Sequence, residues 1–415
     1  MSESSMKLLS LATQMGWYKK PSWSFGGGRL PVLLEGVPGC GKTQAIKRVL
    51  GPALQKRLDQ VSKDPELAKY LAHEYLGKFA VGTLVVPQTS PETIEGIPVP
   101  DFTAKELSRY PLDTIKAAAE SVYGILFFDE VTSGQEATGA SIMTTVQDGI
   151  AGSTTLPDTV AIHLACNPPD QAAAGRDLSL PEINRVMKLS WEMPPAAFLD
   201  FLNGGKGLAA EVAMLPPDWE DKHLIKASTL ISNFLRVHPR LQNTVQSGVH
   251  KGDGPWASER SWTNAIRMLA ACFSLGELAS SSLFYNAAKG MVGGTADSLS
   301  EWLKEMDIPD PELLLAEAMR KGGDPMHLIP ETVNRPDKRK VMLESVARCA
   351  IRDHKDKLKR WEAAWEIVGP FLDTNPDEAQ EALNVLNSDV PPGARVPEAA
   401  SKLWKIRRAA GIIPG

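Results

Sequence analysis

The chain has 415 residues, of which 43% are hydrophobic and 23% charged, with a formal net charge of −5 at pH 7. That length allows two or three domains with a large core, and the balance of charge offers no general attraction to nucleic acid or anionic lipid. The four cysteines, Cys40, Cys166, Cys272 and Cys349, lie far apart without a C-x-x-C, so reduced, mostly buried thiols are expected rather than zinc or disulfides.

The first residues lack the basic start and apolar stretch of a signal peptide, and no apolar run is long enough to span a bilayer. A cytoplasmic protein with no membrane partner is expected. Met6 to Trp17 has helical spacing and breaks at Pro21 and Gly26-Gly27-Gly28. Leu30 to Leu34 then forms a short apolar run suited to a buried strand, and Thr43 to Leu50 has helical spacing. Between them stands Gly36-Val37-Pro38-Gly39-Cys40-Gly41-Lys42-Thr43, which fits G-x-x-x-x-G-K-[ST]. Strand, glycine loop and helix are the context a phosphate-binding loop needs. Its glycines let successive N–H groups point at a phosphate, and the helix N-terminus adds partial positive charge. Gly36 to Gln44 are the expected nucleotide-binding residues. Lys42 would reach the β- and γ-phosphates, and the Thr43 hydroxyl would hold Mg²⁺.

Phe79 to Val86 reads as a second strand, closed by Pro87. Ser90 to Pro100, with three prolines, reads as an ordered loop without regular helix, followed by an insertion of about twenty residues. Gly124 to Phe128 is a third strand, apolar throughout, ending in Asp129 and Glu130. At the carboxyl end of a parallel strand this pair faces the same edge as the phosphate loop. Asp129 would hold Mg²⁺, and Glu130 would orient or deprotonate the attacking water. Glu136 to Ile150 suits a helix, and Val160 to Cys166 a fourth strand ending at Asn167. A side chain there suits contact with a γ-phosphate or the attacking water, although Asn also simply ends strands. Val186 to Trp191 is the fifth strand.

From about residue 196 the periodicity turns helical. Leu224 to Leu235 is amphipathic, and Ser261 to Leu275 carries Ala265, Met268, Leu269 and Cys272 on its buried side. Trp302, Leu313 to Leu315, Trp361 and Trp365 are expected packing residues. The basic clusters at 338–340, 355–360 and 402–408 are mixed with acids and read as solvated helix faces, not a nucleic-acid surface. His73-Glu74 begins an H-E-x-x-H but Gly77 replaces the second histidine, so no metalloprotease site is expected.

In their order these motifs resemble the AAA+ ATPases, specifically the MoxR-like branch, over about residues 1–290. Gly36 to Thr43 is similar to Walker A, Leu126 to Glu130 to Walker B, and Asn167 to sensor 1. Leu180-Pro181-Glu182-Ile183-Asn184-Arg185 resembles the segment ending in the arginine finger, with Arg176 a rival for that role, and Ser258 to Trp262 resembles sensor 2 with Arg260. Glu92 to Gly96 resembles, more loosely, the segment opening the extra hairpin of this branch. Val186 stands where the branch usually has Phe, and the helix after Walker B lacks its Asn-Arg pair.

The resemblance implies a three-layer αβα core over residues 1–195 with parallel strand order 5-1-4-3-2. An all-α lid over 196–292 and a C-terminal helical segment over 293–415 would follow. It further implies Mg-dependent ATP hydrolysis by a homo-oligomeric ring, most often of six subunits, in which Arg185 reaches a neighbour's phosphate. The ring would act as a chaperone that remodels a partner protein or assists metal or cofactor insertion, often with a von Willebrand A-type partner. A nucleic-acid-stimulated motor and a non-hydrolysing nucleotide switch are the alternatives; the acidic balance opposes the first, and the intact Lys42, Asp129 and Glu130 oppose the second.

Overall fold

Five apolar segments gather into one parallel sheet in the computed structural model, which describes residues 2–21, 24, 28–103, 105–171, 176–306, 308–330, 333 and 335–395. The chain opens with helix α1 (Ser2–Gln14) and strand β1 (Val32–Glu35). The helix after the glycine loop is composite: α2 (Lys42–Gln44), a π-helical stretch over Ala45–Leu50, then α3 (Gly51–Lys63). The short α4 (Pro65–Ala68) leads to β2 (Phe79–Val85).

The segment expected to lack helix contains one turn of it, α5 (Pro91–Glu95). Pro91 sits in the first turn, where its missing N–H has no partner to lose, and Ser90 with Thr93 forms a capping box. A hairpin follows, β3 (Ile97–Asp101) against β4 (Glu106–Tyr110). Pro98 and Pro100 are tolerated in β3 because a two-stranded ribbon leaves one edge unpaired.

Next come α6 (Asp113–Ser121), β5 (Tyr123–Asp129) and α7 (Glu136–Asp148). The small hairpin β6 (Ile150–Ala151) and β7 (Thr154–Thr155) precedes β8 (Val160–Cys166), α8 (Leu180–Ile183), β9 (Met187–Ser190) and α9 (Pro195–Leu202). The sheet order is β2-β5-β8-β1-β9, all parallel. Numbering these five strands alone along the chain, it reads 5-1-4-3-2 from the β9 edge.

Alternation along the strands divides the sheet into two apolar faces. Leu33, Leu126, Phe128, Ile162 and Leu164 pack in one cluster with Ile115 of α6 and with Ile142 and Val146 of α7. On the other face, fully buried His163 meets Thr13 of α1, and Gly51 at the start of α3 lies against Val81. The result is a three-layer αβα arrangement.

The remainder is helical: α10 (Trp219–Val237), α11 (Glu259–Ser274), α12 (Ser282–Val292), α13 (Thr295–Glu305), α14 (Pro311–Met319), α15 (Pro336–Ile351), α16 (Lys357–Thr374) and α17 (Pro376–Ser388). The chain divides into two compact units. The first holds 1–20, 25–219 and 239–298; the second holds 21–24, 220–238 and 299–415. In the first, Ala265, Met268, Leu269 and Cys272 of α11 are buried, and α12 approaches β9 so closely that a Cβ at Gly290 would stand 2.2 Å from the Lys188 carbonyl oxygen.

In the second unit α15, α16 and α17 pack together around Trp361, Trp365 and a fully buried Glu344. Arg236 and Arg348 bind that carboxylate. Two expectations fail here. Leu313 is exposed while Leu314 and Leu315 are buried, because only two of three consecutive helical positions face the core. Arg360 is no solvated residue: it is buried and makes a bidentate pair with Glu312 at 2.7 and 2.9 Å. The cluster at 402–408 lies outside the described residues. Among the described residues no helix is long and apolar enough to cross a membrane.

Candidate functional site

The register of the sheet brings the candidate residues to one edge. Glu35 pairs with Cys166 on one side and Ser190 on the other, so Gly36 and Asn167 emerge together. Asp129 ends β5 beside them, with Val131 N–H donating to the Ala165 carbonyl at 3.0 Å. The loop leaving β1 needs its glycines. Gly39 and Gly41 adopt φ of 78° and 82°, and a Cβ at Gly36 would meet the Trp191 carbonyl oxygen at 2.3 Å. The Trp191 indole N–H in turn donates to the Cys40 carbonyl at 3.2 Å, pinning the loop to the end of β9.

Lys42 is the centre of the arrangement. Its side chain is buried, and Nζ donates to the carbonyls of Gly36 (2.6 Å) and Val37 (3.2 Å) and to Asn167 Oδ1 (3.0 Å). None of these oxygen partners is a carboxylate, so no counter-charge is in contact with the ammonium group, which suits it to an anionic ligand. The Thr43 hydroxyl donates to Asp129 Oδ2, and Asp129 Oδ1 accepts the Glu130 N–H at 3.0 Å. Thus the glycine loop, the end of β5 and the end of β8 are joined by side-chain hydrogen bonds across 86 and 125 residues of sequence.

Glu130 has φ of 58°, the left-handed region that non-glycine residues rarely enter. Holding it there costs on the order of 1–2 kcal/mol. The turn re-aims its side chain where the strand ends, and among the described residues the Glu130 carboxylate has no hydrogen-bonding or ionic partner.

The structure does not bring the arginines to this cluster. Arg185 precedes β9 and lies at the amino edge of the sheet, where its Nε donates to Gln147 Oε1 at 2.7 Å. Four residues of strand separate that edge from Gly36, roughly 13 Å at the usual rise. Arg176 is at the carboxyl edge. It lines a cavity of about 310 Å³ together with Asn167, but its guanidinium is held by Glu182 at 2.7 and 2.8 Å. Arg260, second residue of α11, is exposed, and among the described residues no partner engages it.

Sequence reasoning missed the second wall of the site. A cavity of about 650 Å³ opens from Gly39, Cys40 and Gly41, runs along Gln44 and Arg48, and is closed by Met193, Phe198, Phe201 and Lys206. Trp191 was visible only as the end of a strand. The signal for the aromatic wall was Phe198-Leu199-Asp200-Phe201-Leu202, a strongly apolar helix whose residues stay uncovered.

No family model matches the sequence, and no curated protein matches it. Among solved structures, the chain is similar to the crystal structure of a "putative ATPase" from Cytophaga hutchinsonii, at 14% identity and a TM-score of 0.42, over 72% of this chain and 88% of that one.

Proposed function

We propose that this protein is an Mg-dependent ATPase of the AAA+ type, MoxR-like, working as a ring of identical subunits. The observation that carries this reading is the linked cluster in which Lys42 bonds Asn167 and Thr43 bonds Asp129 at the mouth of a glycine loop. The donor set fits its ligands: loop N–H groups and Lys42 suit the phosphates of ATP, and the hard oxygens of Thr43 and Asp129 suit Mg²⁺. When bound, Mg²⁺ neutralises charge developing on the phosphate oxygens.

The chain's own residues would do the rest. Lys42 leaves the Gly36 and Val37 carbonyls for the phosphates. Asn167, released from Lys42, turns its amide towards the γ-phosphate. Glu130, strained and unpartnered, orients the attacking water and takes its proton. Arg185 points away from its own site, so in this reading it completes the site of the next subunit, and Arg260 contributes as the sensor of a lid drawn from residues 196–292. The output of such a ring would be remodelling of a partner protein, or metal or cofactor insertion, with a von Willebrand A-type domain as a fitting partner.

Mixing tests the shared site. Glu130→Gln and Arg185→Ala should each be inactive alone. Mixed, they should recover part of the wild-type ATPase, because an Arg185→Ala subunit can then sit beside an intact arginine. Failure of every mixture to recover activity would place Arg185 outside the mechanism.

A further inference from the structure

The polar cavity beside Asn167 carries a further inference, which rests on the ATPase reading above. We infer that this cavity receives the inorganic phosphate cleaved from ATP and lets it leave without crossing the glycine loop.

Position comes first. Asn167 is shared: its Oδ1 accepts the Lys42 ammonium at 3.0 Å, and the residue also lines the cavity of about 310 Å³. Among the described residues none of the glycine loop lines that cavity, whose floor includes Glu35 and Cys166, the last residues of β1 and β8. A group cleaved between Lys42 and Asn167 thus has an opening on the side away from the loop. A diphosphate left on the loop does not stand in that path. The volume is roughly ten times the share of one water, room for a phosphate and part of its hydration.

The walls offer donors. Thr132, two residues after Glu130, is 6% exposed, and its Oγ1 has no hydrogen-bonding partner among the described residues. Leaving a buried hydroxyl unmet is costly, which marks a place where a ligand belongs. Arg176 Nε is likewise buried and unmet, although Nη1 and Nη2 hold Glu182. Lys188 adds an ammonium group paired with Glu35 at 2.8 Å, whose remaining hydrogens can turn to a ligand. Three donors around one small volume suit phosphate, the acceptor-rich product that ATP hydrolysis supplies. Both cations are already matched by carboxylates, so the interior is close to electrically neutral. Asp177 and Asp253, both exposed, stand at the opening and repel an anion in the surrounding solution. Such a lining binds phosphate weakly. That suits a path of departure, which must admit its ion and still let it go.

The test uses the full chain with Mg²⁺ and ATP. Rapid quenching gives cleaved phosphate, a fluorescent phosphate-binding reporter gives free phosphate, and added inorganic phosphate gives product inhibition. Asp253→Lys reverses the charge at the opening on an exposed residue. Added phosphate should then inhibit at about tenfold lower concentration, and free phosphate should trail cleaved phosphate. Thr132→Val removes the unmet hydroxyl, and inhibition should need about fivefold more phosphate. The cleavage step should keep its rate in both. Glu74→Lys makes the same charge change at the amino edge of the sheet, next to His73, whose N–H bonds Tyr123 at the start of β5. It should alter neither readout. Inhibition as in wild type in both cavity variants overturns the inference and leaves the ATPase reading standing. An effect of Glu74→Lys equal to that of Asp253→Lys does the same. If wild type cleaves no ATP, that reading itself fails and takes this inference with it.

Discussion

Acid should weaken this fold through one buried histidine. His163 lies in the middle strand β8 and is wholly buried, which pulls its pKa from 6.5 down to about 3. The geometry fixes its neutral form. The Val32 N–H of β1 can only donate, so Nδ1 accepts it at 3.2 Å. Nε2 therefore carries the proton and donates to Thr13 Oγ1 at 2.9 Å, and that hydroxyl passes its own hydrogen to the Leu9 carbonyl. A second proton would face the Val32 N–H, donor against donor, on the strand that launches the glycine loop. Because the folded chain resists protonation and the unfolded chain does not, this contribution is complete above pH 6.5. It is lost as pH falls from 6.5 towards 3. The loss amounts to about 2 kcal/mol at pH 5 and about 3 kcal/mol at pH 4. Urea unfolding of wild type and His163→Leu at pH 7.5, 6, 5 and 4, followed by tryptophan fluorescence, isolates it, since the other histidines cancel in the difference. The wild type should lose that much more stability than the variant on acidification. Parallel pH dependence of the two proteins would refute the assignment.

Two further perturbations follow from particular contacts. Gly36→Ala places a methyl 2.3 Å from the Trp191 carbonyl oxygen and 3.1 Å from Cys40 Sγ. It should destabilise the protein by about 1–3 kcal/mol and lower ATP affinity at least about tenfold, checked by thermal unfolding and calorimetry. Burial pushes the Glu344 carboxyl upward, but its bonds to Arg236 and Arg348 hold it below the usual carboxylate range. Glu344→Ala should cost about 3 kcal/mol in urea unfolding, the low end for a broken buried pair, because both arginines are already about 40% exposed and can turn to solvent.

What the sequence made legible is what short-range physics decides. β5 and β8 are buried on both faces and, His163 apart, read as apolar runs, and the glycine loop must carry glycine where φ is positive or backbones touch. The carboxyl ends of β5 and β8 carry Asp129, Glu130 and Asn167, and sheet register places them together. What stayed hidden depends on distant partners. Arg360 reads as one cation in a basic run until Glu312, 48 residues away, is brought against it. Pro98 and Pro100 argue against a strand until the hairpin leaves them an edge. The π-helical stretch at Ala45–Leu50 carries an ordinary helical pattern, and the aromatic wall of α9 becomes part of a site only where it faces the loop.

Steady-state ATP hydrolysis by wild type beside Glu130→Gln, with assembly followed by light scattering with and without nucleotide, tests the central claim most directly. Wild type should turn over ATP, and Glu130→Gln should bind it, assemble and leave it intact. Wild type that binds ATP yet stays monomeric and inert, or Glu130→Gln that hydrolyses as fast as wild type, would contradict the roles given to Glu130 and to the ring.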